Sequence, residues 1–212
     1  MSAIERRETV AAAQERALAG GVTLCREGDP AEALFLTLAG RLKLSQLSAD
    51  GDDVVLRFAA AGDVFGGLAV LDGKAYPFTA AAVEPSRVLL WKRGSLGALF
   101  ARLPTFQRNV LGIVGGHGRE ALDRARELAT EPVPRRVARA LQRLLVQSQE
   151  HADGVVISGV TQQELAQMAG TTLFTVSRTL AEWQRAGVLA TGRGRIVVRD
   201  AAALSRLAEV QP

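Results

Sequence analysis

The sequence predicts an α+β chain: a β-rich first half, one long helix, and a helix-turn-helix followed by a basic hairpin. Three observations carry this. After residue 19, short apolar runs are punctuated by Gly28-Asp29-Pro30, Gly40, Asp50-Gly51, Gly62-Asp63 and Gly73, turn signals about ten residues apart. From Leu103 to about Thr130 the apolar spacing becomes helical and stays so. Thr161 to Val198, TQQELAQMAGTTLFTVSRTLAEWQRAGVLATGRGRIVV, then reads as a helix, a glycine turn, a second helix and a hairpin.

Taken in order, residues 4–19 read as an amphipathic helix. Leu34, Leu36 and Leu38 alternate with Phe35, Thr37 and Ala39, so one face is aliphatic and both can be covered, as in a β-sandwich or roll. Residues 79–83 and 87–91 complete the sheet. In the long helix, Pro104 suits a first turn. Phe106, Val110, Ile113, His117 and Glu120 alternate by four and three, a coiled-coil-like seam, while Leu111, Val114, Ala121, Ala125 and Leu128 form a second stripe. One stripe can pack on the β-rich half and the other on a second copy of the helix. Gly112, Gly115, Gly116 and Gly118 fall inside it, and each costs about 0.8–1 kcal/mol of helix propensity. Close approach of two helix backbones, a flexible joint or a local kink would each account for them.

Glu131-Pro132-Val133-Pro134 is a linker, because two prolines stop the long helix and stiffen the passage. Residues 135–149 follow as an amphipathic helix burying Val137, Leu141, Leu144 and Leu145, then a loop from His151 to Gly154 and a strand over 155–157. Thr161 with Glu164 is a capping box, Leu165, Met168 and Ala169 are an apolar face, and Gly170 ends the helix. Thr171 or Thr172 caps the second helix, whose Val176, Leu180 and Trp183 point inward. Leu173, Phe174, Ser177, Arg178 and Ala181 lie opposite. Apolar residues and an arginine on a face that should be solvated call for a partner, here the major groove of DNA. Residues 189–191 and 196–198 flank Gly192-Arg193-Gly194-Arg195, a glycine-rich tip able to touch phosphates or to stand as a solvated turn.

Composition bounds the function. Hydrophobic residues make up 48% of 212, enough for packed cores, yet no run approaches the ~20 apolar residues of a membrane span. The N-terminus lacks the apolar core of a signal peptide, and the single cysteine, Cys25, forbids an intrachain disulfide, so a cytoplasmic location is expected. The net charge of +4 is unevenly spread: residues 1–103 carry 12 basic and 12 acidic side chains, residues 104–212 carry 14 and 10. Residues 161–199 hold five arginines against two glutamates, a field suited to a phosphate backbone. An enzyme is not expected: there is no Ser/His/Asp set, no phosphate-cradling loop followed by lysine, and the two histidines stand 34 positions apart.

The helix-turn-helix residues resemble the DNA-binding domain of the Crp/Fnr family of bacterial transcription regulators. Arg26 to Gly73, REGDPAEALFLTLAGRLKLSQLSADGDDVVLRFAAAGDVFGGLAVLDG, resembles that family's ligand-sensing β-roll. The resemblance implies an antiparallel, jelly-roll-like β-roll for effector sensing over residues 1–102. It implies a dimerisation helix over 103–131 and a winged helix-turn-helix over 132–212. A homodimer on a palindromic double-stranded operator follows, with RNA polymerase as a further partner if the protein activates. The family carries an extra segment before its first helix, so the native start is expected upstream.

DNA contacts are expected from Thr161, Gln162, Thr172, Leu173, Phe174, Ser177, Arg178, Arg193 and Arg195. Arg178 matches the family's base-reading arginine and could fork onto guanine O6 and N7. Thr161, Thr172 and Ser177 are candidates for phosphate, or for capping alone. Leu173 and Phe174 stand where better-known members carry arginine and glutamate; they could meet thymine methyls, or pack on the wing or the first helix. Dimer contacts are expected from Phe106, Val110, Ile113, His117 and Ala121.

The expected effector pocket comprises Phe65, Gly66, Gly67, Leu68, Tyr76 and Pro77. Members that bind cyclic AMP use a glutamate for the ribose and an arginine-serine pair for the phosphate. Those positions are Gly67 and Tyr76-Pro77 here, so cyclic AMP is not expected. One cysteine excludes a four-cysteine iron–sulfur cluster. The Tyr76-Pro77 segment and the GTTLFTVSRTLAEW helix look closer to the nitric-oxide-responsive, denitrification-type members, which leaves haem open, with His117, His151, Met168, Tyr76 or Cys25 as ligands. The alternative is a constitutive regulator whose roll binds nothing.

Overall fold

A capping box starts the chain: in α1 (Ala3–Ala11) the Ser2 hydroxyl accepts the Glu5 N–H, and the Glu5 carboxylate accepts the Ser2 N–H at 2.6 Å. The computed structural model describes residues 1–151, 154–192 and 194–209. They fall into two units, Met1–Asp53 with Arg57–Leu122, and Val54–Leu56 with Asp123–Pro212.

After α1 come β1 (Gln14–Leu18), β2 (Thr23–Cys25), β3 (Ala33–Ala39), β4 (Arg41–Leu47), β5 (Asp53–Ala60) and β6 (Val64–Phe65). Then follow α2 (Gly67–Asp72), β7 (Thr79–Ala82), β8 (Ser86–Lys92), α3 (Arg93–Arg102) and the long α4 (Pro104–Thr130). The strands form two four-stranded sheets, ordered β1-β8-β3-β6 and β2-β7-β4-β5, and the described pairings are antiparallel. Leu34, Leu42, Leu44, Val88 and Trp91 lie in the shared core, and both faces of β3 are at least half-covered.

Two readings need correction in this unit. The helix expected over 4–19 stops at Ala11, because residues from Gln14 to Leu18 pair with β8 as an edge strand. Four of its five side chains are exposed, so no alternation marked it, and an alanine-rich stretch read as helix. Secondly, α2 and α3 were not foreseen: Gly66 and Gly73 flank α2, and Gly94 and Gly97 dilute the helical signal of α3.

Along the expected dimer seam, exposure varies from residue to residue. Phe106 and Val110 are buried in the roll's own core, Phe106 lying 5.5 Å from Trp91 and 5.6 Å from Phe100 between ring centroids. Ile113 and His117 are half-buried and Ala121 is exposed. Aromatic packing from β8 and α3 claims the start of the seam, which leaves Leu111 and Leu122 on the uncovered side.

The second unit continues with α5 (Val133–Leu145), β9 (Gln149–His151), β10 (Gly154–Ser158), α6 (Gln162–Ala169) and α7 (Leu173–Arg185). It ends with β11 (Leu189–Gly192), β12 (Arg195–Val198) and α8 (Ala201–Ala208). Pro132 is the N-cap of α5 and Pro134 sits in its first turn, where a missing N–H costs nothing. The helix expected to run to residue 149 ends at Leu145, and His151, expected in a loop, stands in β9, paired with β10. Leu145 is half-buried rather than buried. Two buried carboxylates bind the end of α4 to α5: Arg143 donates to both oxygens of Glu127 at 3.0 and 3.1 Å. Glu131 accepts from Arg139 at 2.8 Å and Arg126 at 3.1 Å.

Candidate nucleic-acid interface

Two caps and one glycine set the reading element. Thr161 caps α6: its hydroxyl accepts the Glu164 N–H at 3.1 Å, and Glu164 Oε2 accepts from both the N–H and hydroxyl of Thr161. That hydroxyl has thus given its only proton to Glu164, so here Thr161 serves the cap. Gly170 closes α6 at φ 60°, a left-handed turn that L side chains resist, and an added Cβ would strike Leu128. Of the two threonines offered as the next cap it is Thr172, accepting the Thr175 N–H at 3.3 Å. Its hydroxyl also shares a hydrogen bond with Thr175 Oγ1.

The turn aims α7. Val176, Thr179, Leu180 and Trp183 are buried, and the Thr179 hydroxyl is satisfied by the Thr175 carbonyl. The opposite face is open: Leu173 is 46% and Phe174 75% exposed, and Ser177 and Arg178 are exposed beside them. Gln162 is half-buried at the start of α6.

The hairpin is tied to this helix by a residue sequence reasoning missed. Gln184 Oε1 accepts the N–H of Thr191 at 3.0 Å and its hydroxyl at 2.7 Å. Its signal was a polar residue in the last turn of α7, one short loop before the hairpin. Four strands, ordered β11-β12-β10-β9, make the wing sheet. Arg195 is exposed at its tip, and Arg193 lies outside the described residues. The arrangement offers a rigid helix with a mixed apolar and cationic face, and a cation on a wing bonded to that helix.

Aromatic rings meet at the expected effector pocket. Phe65 stacks on Phe35 at 5.2 Å, and Phe78 and Tyr76 continue the ring cluster at 6.2–6.3 Å. Gly66 is left-handed at φ 79°, and a Cβ on Gly67 would come within 2.9 Å of Val114. Leu68 is exposed. The Tyr76 hydroxyl donates to the Ala33 carbonyl at 2.8 Å and accepts its N–H at 2.9 Å, while burial pushes the phenol up to about 12. The Pro77 carbonyl accepts from Gln46 at 2.6 Å.

Three of the candidate haem ligands are otherwise engaged. Tyr76 is committed to Ala33, burial pushes the Cys25 thiol up to about 12, and Met168 lies in the core of the second unit. His117 is half-buried among charged groups, and burial and Arg57 hold its imidazole below the ordinary range. Among the described residues no group of three or more His, Cys, Asp or Glu could hold a metal ion. No helix of the described residues is long and apolar enough to cross a membrane.

Comparison with known proteins agrees with this layout. A family model described as "Cyclic nucleotide-binding domain" matches residues 15–103, and one described as "Crp-like helix-turn-helix domain" matches residues 135–207. The chain is 33% identical over 195 residues to the cyclic AMP receptor protein of Thermus thermophilus, covering 92% of this chain and 88% of the relative. It is 26% identical to the CRP-like cAMP-activated global transcriptional regulator of Mycobacterium tuberculosis, over 89% of this chain and 85% of that one. The solved structure of FixK2 from Bradyrhizobium japonicum superposes with a TM-score of 0.82 at 26% identity, covering 94% of this chain and 99% of that one.

Proposed function

The chain belongs to the Crp/Fnr family of transcription regulators, and on that footing we propose that it works as a cytoplasmic homodimer reading a palindromic operator. It is a DNA-binding regulator with a cyclic-nucleotide-binding-like domain, not an enzyme. The observation that carries the proposal is the outer face of α7, where exposed Leu173, Phe174, Ser177 and Arg178 are aimed by buried Val176, Leu180 and Trp183. A helix fixed from behind and bare in front suits insertion into a major groove, with Arg178 on guanine and Arg195 on phosphate. Residues 1–102 serve as the sensor-type domain, 103–131 as the dimerisation helix and 132–212 as the DNA-binding domain.

The dimer reading is supported by a seam shifted from the one the sequence suggested. Leu111, Gly115, Gly118, Leu122 and Ala125 follow a four-three rhythm along α4, and all are exposed. A Cβ on Gly118 would meet nothing within 4 Å, and one on Gly115 would meet only Arg119 of the same helix. The protomer's own packing does not require these glycines, whereas close approach of a second α4 would. In an activator, RNA polymerase is the further partner.

A small organic effector in the roll is the first reading of control, acting by favouring one arrangement of the dimer over another. Cyclic AMP is not that effector on this reading: Gly67, Tyr76 and Pro77 offer no charge to a buried phosphate. The ring cluster of Phe35, Phe65, Tyr76 and Phe78 favours a second reading, a roll filled by its own side chains and a constitutive regulator. Fluorescence anisotropy on duplexes selected from a random library tests the core of the proposal. Saturable, salt-dependent binding with two protomers per selected duplex is expected, and failure to prefer any duplex over random DNA would refute it.

A further inference from the structure

We infer that the first turn of α7 reads thymine, with Phe174 and Leu173 lying against its 5-methyl group within about two base steps of the guanine bound by Arg178. The inference rests on the DNA-binding reading above and adds the chemistry of the base pair. Phe174 is 75% exposed and Leu173 46%, whereas Val176, Leu180 and Trp183 of the same helix are buried. The pair is therefore surplus to the fold and sits on the face that meets DNA.

The chemistry of the groove narrows the partner. Base edges there present donors and acceptors, with the thymine methyl as the apolar group among them. A phenyl ring over a G·C pair would cover polar edges without replacing the hydrogen bonds they lose from water. Over a T·A pair it covers a methyl. The same ring thus favours one pair and penalises the other, which is how specificity is built.

Geometry sets the spacing. Phe174 and Arg178 are four residues apart on an element running Leu173–Arg185, one turn and about 6 Å along the axis. Base pairs stack at about 3.4 Å and the groove is inclined to the DNA axis, so the two contacts fall within about two steps of each other. Charge supports the occupant: Arg178 is exposed on the same helix face, and Arg195 is exposed on the wing. A polyanion with a methyl in its groove matches both.

The test uses the full-length chain and duplexes selected from a random library. The half-site is expected to hold a thymine within about two steps of a guanine. Replacing that thymine by deoxyuridine removes the methyl and leaves every hydrogen bond. Binding is expected to weaken about fourfold per half-site, from the transfer free energy of one buried methyl. In Phe174→Ala, with Leu173→Ala as a second variant, the preference for thymine over uracil is expected to shrink toward one. Phe174→Glu is expected to move the selected pair toward C·G, since a carboxylate accepts from cytosine N4. A 5-methylcytosine·guanine pair is expected to bind more weakly than T·A, and equal binding would overturn the assignment to thymine. If no sequence is enriched, the DNA-reading conclusion fails and this one with it. If a palindrome is enriched but ignores both deoxyuridine and Phe174→Ala, the methyl reading alone is overturned, and the apolar pair belongs to a protein contact.

Discussion

Replacing Gly118 by leucine is expected to move folding stability and self-association in opposite directions. Within one protomer the change is favourable. Gly118 lies inside the helix Pro104–Thr130, is exposed, and an added Cβ would have nothing within 4 Å. Leucine there regains about 0.8 kcal/mol of helix propensity, which for a chain of this size raises Tm by roughly 2–3 °C. Across a close helix pair the sign reverses. A side chain forced between backbones that meet at glycine costs about 1–3 kcal/mol per copy, and a two-fold interface contains two copies. Dimer Kd should therefore rise by roughly 30-fold or more. Gly97→Ala is the control: Gly97 lies in the separate helix Arg93–Arg102, is exposed, and has open space around a built Cβ. It should show the propensity gain with unchanged association. Sedimentation velocity over a concentration series, with urea melts of the same samples, reads both quantities. Should Gly118→Leu behave like Gly97→Ala in both, the glycine seam is not where two chains meet.

Further expectations concern charge. Arg178→Ala should weaken binding to a selected operator by about 1–3 kcal/mol while leaving binding to random duplex nearly unchanged; equal losses on both, by anisotropy, would remove its base-reading role. His117 is held below the ordinary imidazole range by burial and Arg57, against Glu120 and Asp63. Its neutral form is the one the fold prefers, so its contribution is complete above the ordinary value of 6.5 and lost as pH falls through its lower folded value. Urea midpoints taken from about pH 7.5 down to about 5.5 should fall less in His117→Gln than in the parent chain. At Glu131 burial pushes the carboxyl up, but hydrogen bonds from Arg139 and Arg126 outweigh it and hold it below 4.5. That contribution is complete above the ordinary value and fades as the chain is acidified. Glu131→Gln should cost about 1–3 kcal/mol near neutrality, discounted because Arg126 and Arg139 keep solvent contact, and an unchanged urea midpoint would contradict the coupling.

The helix-turn-helix was the most legible part of the chain because its signals are local. Thr161 with Glu164, Gly170 and Thr172 act over three or four residues, and each cap forms as its spacing implied. Elements defined by distant partners were harder to see. Residues from Gln14 to Leu18 form a strand only through pairing with residues 86–90. Gly94 and Gly97 masked a helix whose Leu96, Leu99 and Phe100 are buried in the roll. Along Pro104–Thr130 the period was legible but the facing was not, since two offset stripes fit one repeat. Burial of Phe106 against Trp91 and Phe100 decides between them. Glu127 and Glu131 read as ordinary surface acids, because their burial depends on arginines 8–16 residues away. At the candidate effector pocket the missing arginine-serine pair was readable, whereas the hydrogen bonds between Tyr76 and Ala33 span 43 residues.

Hydroxyl-radical footprinting of the full-length protein on its selected operator bears most directly on the central claim, that two outward-facing α7 helices read one palindrome. Two dyad-related protected patches are expected, centred about 10 base pairs apart, both weakened by Arg178→Ala at the protein concentration that just saturates them for the parent chain. A single unsymmetrical patch, or protection that survives Arg178→Ala unchanged, would contradict it.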